Sequence, residues 1–188
     1  VVTRMEGMVQ QRAGFRENEG GFTIYRGAPF RQVTRFRSVH GRDFSLGFTA
    51  ERDAGERFRW NPAEKSFGPD FLSGHIQLKE KGKLNNLILG DYVATVGQGL
   101  VLGGGFSTGK GAETITTVRR STSGFSPYTS VGESGFFRGI AASFQFPKGI
   151  RLHAFGSRFW RDGNVRIRAD SLEYIGSVFS SGYHRTSG

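Results

Sequence analysis

Three short polar turns, His40-Gly41-Arg42-Asp43, Lys81-Gly82-Lys83 and Pro147-Lys148-Gly149, alternate along this chain with long, Gly-rich, charged connections at 11–29, 54–70 and 95–135. The segments between them are about ten residues long, the length of a tilted strand that crosses a bilayer. A β-sandwich in water has no reason to gather its tight turns at one end and its long loops at the other. A barrel threaded through an outer membrane does, because its periplasmic turns are short and its extracellular loops are long.

Composition narrows the choice further. The chain has 188 residues, one domain's worth, and is only 36% hydrophobic, with 29 Gly and 18 Phe. Glycine and aromatics over a modest aliphatic content suit strands and turns better than helices. No run of about eighteen apolar residues exists, so no transmembrane helix is expected. A β-barrel needs none, because its strands carry apolar residues only at every second position. The chain starts without an export leader and stops without a terminal strand, so residues 1–188 read as a single β-barrel segment, an interior piece of a longer protein. With no cysteine, disulfides and thiolate metal sites are excluded.

Alternation is clearest at 44–51, where Phe44, Leu46, Phe48 and Ala50 oppose Ser45, Gly47, Thr49 and Glu51. At 72–79, Leu72, Gly74, Ile76 and Leu78 oppose Ser73, His75, Gln77 and Lys79. At 150–157, Ile150, Leu152, Ala154 and Gly156 oppose Arg151, His153, Phe155 and Ser157. Residues 1–10 and 136–146 follow the same pattern. In 30–39 the arginines Arg31, Arg35 and Arg37 share one face, which is assigned to the lumen because arginine at a membrane midplane is costly. Segment 84–94 leaves its register open, since Leu87 and Leu89 compete with Ile88 for the apolar face. The expectation is therefore an all-β chain, an antiparallel up-and-down transmembrane β-barrel segment of about seven strands. Phe44, Phe71, Phe159 and Trp160, near strand ends, would form interfacial girdles.

Several stretches carry a resemblance: Gly47-Phe48-Thr49-Ala50-Glu51-Arg52-Asp53-Ala54-Gly55-Glu56, Leu89-Gly90-Asp91-Tyr92 with Gly97-Gln98-Gly99-Leu100, and Gly109-Lys110-Gly111. To these are added Pro127-Tyr128-Thr129-Ser130-Val131, Phe136-Phe137-Arg138-Gly139 and Gly182-Tyr183-His184-Arg185-Thr186. As a set they resemble the β-rich region of large outer-membrane barrel proteins of double-membraned bacteria that carry competence-type helix-hairpin-helix repeats. The resemblance implies a bacterial outer-membrane location and a link to DNA handling through a domain outside this chain. No amphipathic helix pair joined by a Gly-containing hairpin is found here, so no residue inherits DNA binding.

Motifs of enzymes lack their settings. Gly104-Gly105-Phe106-Ser107-Thr108-Gly109-Lys110-Gly111 nearly spells a phosphate-binding loop, but Gly111 stands where Ser or Thr should hold magnesium, and the β-branched run Thr114-Ile115-Thr116-Thr117-Val118 follows instead of a helix. Gly105-Phe106-Ser107-Thr108-Gly109 matches the serine-hydrolase elbow without its strand-turn-helix context. A barrel-type hydrolase built on His75 or His153 with neighbouring serines is weighed against a lumen-facing, hydrogen-bonded histidine, and the latter is preferred. His40, His75, His153 and His184 are too scattered for a metal site. Glu51, Asp53 and Glu56, interleaved with Arg52 and Arg57, read as an ion-pair rim rather than a calcium site. No enzyme activity and no cofactor are expected.

The net charge of +10 invites a nucleic-acid reading, yet its basic residues are spread along the chain. In an outer-membrane barrel, rim cations meet lipid and lipopolysaccharide phosphates, while lumen arginines bias a passage toward anions. The candidate lumen and loop residues are Arg31, Arg35, Arg37, His75, Lys79, Gln98, Lys110, Arg119, Arg120, Arg151 and His153. The long connection 95–135 is expected to fold inward as a plug or constriction, with Gln98, Lys110, Arg119 and Arg120 facing the passage. The function expected is a structural or transport platform for anionic polymers, DNA included. The rival is a soluble basic β-domain that binds nucleic acid through its loops.

Overall fold

A computed structural model of the chain describes residues 1–17, 20–62, 66–99, 101–103, 124–158, 160, 163–167 and 173–178. It is built almost wholly of antiparallel strands: β1 (Val2–Gly7), β2 (Phe30–His40), β3 (Phe44–Arg52), β4 (Arg59–Asn61), β5 (Ser66–Gly68), β6 (Phe71–Lys81) and β7 (Leu84–Val96), then β8 (Leu102–Gly103), β9 (Gly124–Pro127), β10 (Phe137–Gln145), β11 (Arg151–Ser157), β12 (Gly163–Ile167) and β13 (Glu173–Val178). The seven segments expected from alternation are the seven strands along the main path of a nine-stranded sheet, in the order β1-β2-β3-β6-β7-β10-β11. That is an up-and-down order, and among the described residues the sheet does not close on itself. The short β8 and β9 both pair with β7, whereas β4 with β5 and β12 with β13 make separate two-stranded ladders. Those six short strands lie in or beyond the long connections.

The chain divides into two compact units. The first comprises Val1, Arg35–Thr49 and Ser73–Arg158, and the second Val2–Thr34, Ala50–Leu72 and Phe159–Gly188.

In the first unit the ladders fix the register that sequence alone left open. Ile76 pairs with Leu89 and Leu89 with Ile140. One row along, Leu78 pairs with Leu87, Leu87 with Ala142, and Ala142 with Ala154. These residues form a continuous apolar band on one face of β6, β7, β10 and β11, because side chains two apart share a face. The opposite face carries Gln77, Ile88, Ala141 and Phe155 in a single row. Ile88 therefore points away from Leu87 and Leu89, and the competition noted for 84–94 is resolved by using both faces.

Beyond Gly90 the chain does something different. Asp91, Tyr92, Val93, Ala94 and Thr95 are all buried in succession, so this half of β7 is covered on both sides. Phe125 pairs with Ala94, while its carbonyl accepts a hydrogen bond from the Asn86 amide at 2.9 Å. In a straight strand residues 86 and 94 would stand about 27 Å apart. Both reach Phe125 only because the strand turns sharply near Gly90. Gly90 has φ +100°, and a Cβ there would sit 2.2 Å from the Gly74 carbonyl oxygen. Its ladder partner Gly139 repeats the arrangement against the Gly156 carbonyl, with φ +152° and the same 2.2 Å. A row of glycines across adjacent strands is how a sheet is bent hard, since no side chain fits at the crease.

The core of this unit follows from that crease. Tyr92, Ala94 and Phe125 come to lie with Ile88 and Ala141, and Leu102 and Phe137 pack against them. The Tyr92 ring is 5.9 Å from Phe125 and 5.8 Å from Phe137, and Phe125 is 5.7 Å from Phe155. Such ring pairs contribute roughly 0.5–1.5 kcal/mol each beyond the area they bury. The Tyr92 hydroxyl donates to the Gly156 carbonyl at 3.1 Å, so its polar end is met.

In the second unit, the turn Ala13–Phe15 brings Gly14 under the Tyr25 ring, and Tyr25 N–H donates to the Gly14 carbonyl. Gly27 N–H donates to Gly55 and Gly55 N–H to Ala28, a reciprocal pair that ties the two loops together. Phe71, expected in an interfacial girdle, is instead buried, because it shares a face of β6 with Ser73 and His75. Trp160 is exposed, Phe44 is half-buried, and Phe159 lies outside the described residues.

Candidate functional site

On β3 and β6 the buried side chains are mostly polar, and the exposed ones include large apolar residues. On β3, Ser45, Gly47, Thr49 and Glu51 are buried while Phe48 is 43% exposed. On β6, Ser73, His75 and Gln77 are buried while Leu72 and Ile76 are 48% and 42% exposed. Leu89, Ile140 and Leu152 are exposed in the same way. Charged and polar residues are seldom fully buried unless paired, so their partners decide what this face can do.

Three polar groupings occupy it in the first unit. Gln77 donates to the Asn86 side chain at 2.8 Å, and Asn86 passes the chain of bonds to the Phe125 carbonyl. The Ser45 hydroxyl lies 3.3 Å from His75 Nε2, and Gly47 leaves room for the imidazole. The Ser143 hydroxyl lies 2.8 Å from His153 Nδ1, with the His153 ring 5.8 Å from Phe125. Among the hydrogen bonds described, neither histidine has a carboxylate on its other ring nitrogen. A fourth element is the Asp91–Arg138 pair: Nε donates to Oδ1 at 2.6 Å and Nη2 to Oδ2 at 2.9 Å, a fork-on-fork geometry. Asp91 is 1% exposed, and its Oδ2 also accepts the Gly74 N–H at 3.2 Å.

The second unit carries a denser charge network. Arg31 Nε donates to Glu51 Oε1 at 2.6 Å and lies 3.2 Å from Asp53 Oδ1, with Glu6 at 4.0 Å and Arg4 paired to Glu6 in turn. Glu56 Oε2 accepts the Asp53 N–H at 2.9 Å. Glu51, Asp53 and Glu6 thus form an ion-pair cluster around Arg31, and Glu56 joins it through the Asp53 backbone. Beside it lies a cleft of about 410 Å³ lined by Arg26, Gly27, Ala28, Arg52, Glu56, Arg57 and Phe58. The Arg52 guanidinium lies 5.0 Å from the Phe30 ring centre.

Of the residues singled out from sequence, Arg31, His75 and His153 sit in these groupings. Arg35 and Arg37 are exposed on β2 with no ion partner among the described residues. Lys79 is exposed at the turn end of β6, its N–H bonded to the Asp43 carbonyl, and Arg151 is exposed with its Nε on Gln145 Oε1 at 2.9 Å. Gln98 lies in the turn Gly97–Gly99 and its side chain is outside the described set. Lys110, Arg119 and Arg120, together with the phosphate-loop and elbow look-alikes, also lie outside the described residues. Sequence reasoning missed the Asp91–Arg138 pair, whose partners are far apart in the chain; the only signal was an Asp and an Arg each flanking a glycine, in Gly90-Asp91 and Arg138-Gly139.

At the turns, Lys81 is hydrogen-bonded to Asp43, which holds that carboxyl below its usual range. Among the described residues no group of three His, Cys, Asp or Glu could hold a metal ion, and no helix is long and apolar enough to cross a membrane. No protein-family model, curated protein or solved structure matches this chain.

Proposed function

We propose that this chain forms part of the wall of a transmembrane antiparallel β-barrel in a bacterial outer membrane, and that it serves as a structural or transport platform with no covalent step. One observation carries the reading: neighbouring strands bury their polar residues and expose their apolar ones, in register. Ile76, Leu89 and Ile140 form one exposed row, while Ser73, His75 and Gln77 on β6 and Ser143 on β10 are buried. In water that outer band would be an aggregation-prone patch; in lipid it is the required surface. Strand lengths support the same reading, with β2 and β6 at 11 residues each and β3 and β10 at 9.

The stretch 91–95 with β9 occupies the polar side of β7, β10 and β11, which suits a constriction held inside such a wall. It is attached by the Asp91–Arg138 pair, the ladder to β9, one Asn side chain, one Tyr hydroxyl and a set of ring contacts. A platform that handles anions needs cations on the enclosed side, and Arg35 and Arg37 share the face of Arg31.

Fractionation tests the proposal. The protein is expected in the outer-membrane pellet, to need detergent for extraction, and to migrate differently on gels with and without boiling. A chain that stays soluble without detergent, shows no heat-dependent shift and binds DNA with a steep salt dependence would replace this reading with that of a soluble basic β-domain.

A further inference from the structure

We infer that the cleft of the second unit lined by Arg26, Arg52 and Arg57 is a binding site for a phosphate group. The inference goes beyond the membrane reading and stands on different residues.

Two loops meet there, fixed by the Gly27–Gly55 and Gly55–Ala28 hydrogen bonds at 3.0 and 2.8 Å. Arg26 stands on one wall, and Arg52 and Arg57 on the other, around a volume of about 410 Å³. The single carboxylate of the lining, Glu56, is already accepting the Asp53 N–H and is 2% exposed. Three guanidinium groups against one carboxylate leave a net charge of 3 − 1 = +2 for the lining residues.

Arg52 supplies the second, independent observation. Its Nε is buried and has no acceptor among the described residues. A buried donor left unmet is destabilising, and a guanidinium Nε is met best by an oxygen of a planar or tetrahedral anion. The Phe30 ring lies 5.0 Å from the same guanidinium, a cation–π contact on one side of it. Arginine is also the residue that holds phosphate with paired donors rather than as a point charge. A single carboxylate brings one negative charge to a +2 site, where a phosphate dianion brings two on a tetrahedral set of oxygens. Two sources present that group in this setting: free phosphate in solution and the phosphorylated headgroup of a lipid.

The test uses the whole chain in detergent micelles, titrated calorimetrically with inorganic phosphate, and separately with micelles doped with phosphorylated lipid A or with the same lipid after dephosphorylation. Saturable binding is expected, and Arg26→Gln with Arg57→Gln, both at exposed positions, should weaken it by roughly tenfold or more. Binding only of phosphorylated lipid identifies the lipid headgroup as the source; binding of phosphate in both arms identifies the group alone. Equal affinity for the wild type and the double variant, or no saturable binding of either probe, overturns the proposal. Solubility without detergent would end the membrane reading while leaving this titration as informative as before.

Discussion

Where the chain covers its own polar side, the row across β7 and β10 holds Ile88 and Ala141, buried with Tyr92 and Phe125. Where β2 and β3 carry positions 31 and 51, the inward residues are Arg31 and Glu51, tied to Asp53 and Glu6. Both stretches obey the same two-residue alternation. The difference teaches that alternation decides which side chains point inward, while the chemistry of those side chains depends on what lies over them. Burial by the chain's own aromatics removes water and favours carbon, whereas a charged inward face is stable only if each charge keeps a partner.

The crease is where that comparison breaks most visibly. Gly90→Val would force a β-branched residue to φ +100° and place its Cβ 2.2 Å from a backbone oxygen, so a loss of about 4 kcal/mol or more is expected in urea unfolding from micelles. Gly82→Ala, at a turn glycine with φ +63° and nothing within 4 Å of its Cβ, should cost about 1 kcal/mol. Equal losses at both sites would mean that Gly90 is an ordinary strand glycine and that 91–95 is not folded over the sheet.

Arg138→Ala comes next. It strands the Asp91 carboxylate, which is 1% exposed, and breaking a buried pair costs about 3–5 kcal/mol; Arg138 is itself 43% exposed at the side chain, which lowers the expectation to about 2–3 kcal/mol. Arg31→Ala should cost less, about 1–2 kcal/mol, because its cluster lies among more exposed side chains and Glu51 is less deeply enclosed. Unfolding of the two variants side by side checks the order, and a reversal would sink the distinction between a sealed and an open polar face.

Leu89→Arg tests the outer band. In a bilayer midplane an added arginine costs about 2–4 kcal/mol, whereas on a surface in water it changes stability by less than about 0.5 kcal/mol. Refolding into lipid vesicles is expected to reveal the larger loss. Asn85→Arg, at an exposed position one row from the turn, should be nearly silent.

Much of this was legible from the chain alone. Phe48 against Thr49 and Ile76 against Gln77 announce their faces locally, since each strand carries its own period, and the turns at Gly41 and Gly82 mark where it stops. The crease was not legible, because Gly90 and Gly139 signify only when the ladder sets them side by side, and that depends on residues 49 positions apart in the chain. The ion pairs failed for a related reason. Glu51, Asp53 and Glu56 looked like partners for Arg52 and Arg57, their neighbours in sequence, but a strand sends adjacent residues to opposite faces, so Glu51 meets Arg31 across the sheet instead. The cleft combines both difficulties, since Arg26 lies in the connection before β2 and Arg52 at the end of β3, and the Gly27–Gly55 and Gly55–Ala28 contacts bring their loops together.

The smallest expected effect lies at the turns, outside either polar face. Asp43 in the turn after β2 is hydrogen-bonded by Lys81 at the end of β6, and the bond, with the nearby positive charge, lowers its pKa. A carboxyl whose folded pKa is depressed contributes stability above its unfolded pKa and loses it as pH falls through the folded value. Lys81→Ala should therefore raise the Asp43 pKa toward that of an ordinary aspartate, and the pH at which the turn contribution fades should rise with it. Carboxyl carbon chemical shifts followed from neutral pH downward read the change directly. A shift of Asp43 that is the same in wild type and variant would mean that the pair is not held in solution, as happens at many exposed ion pairs, while the crease and the sealed face would stand untouched.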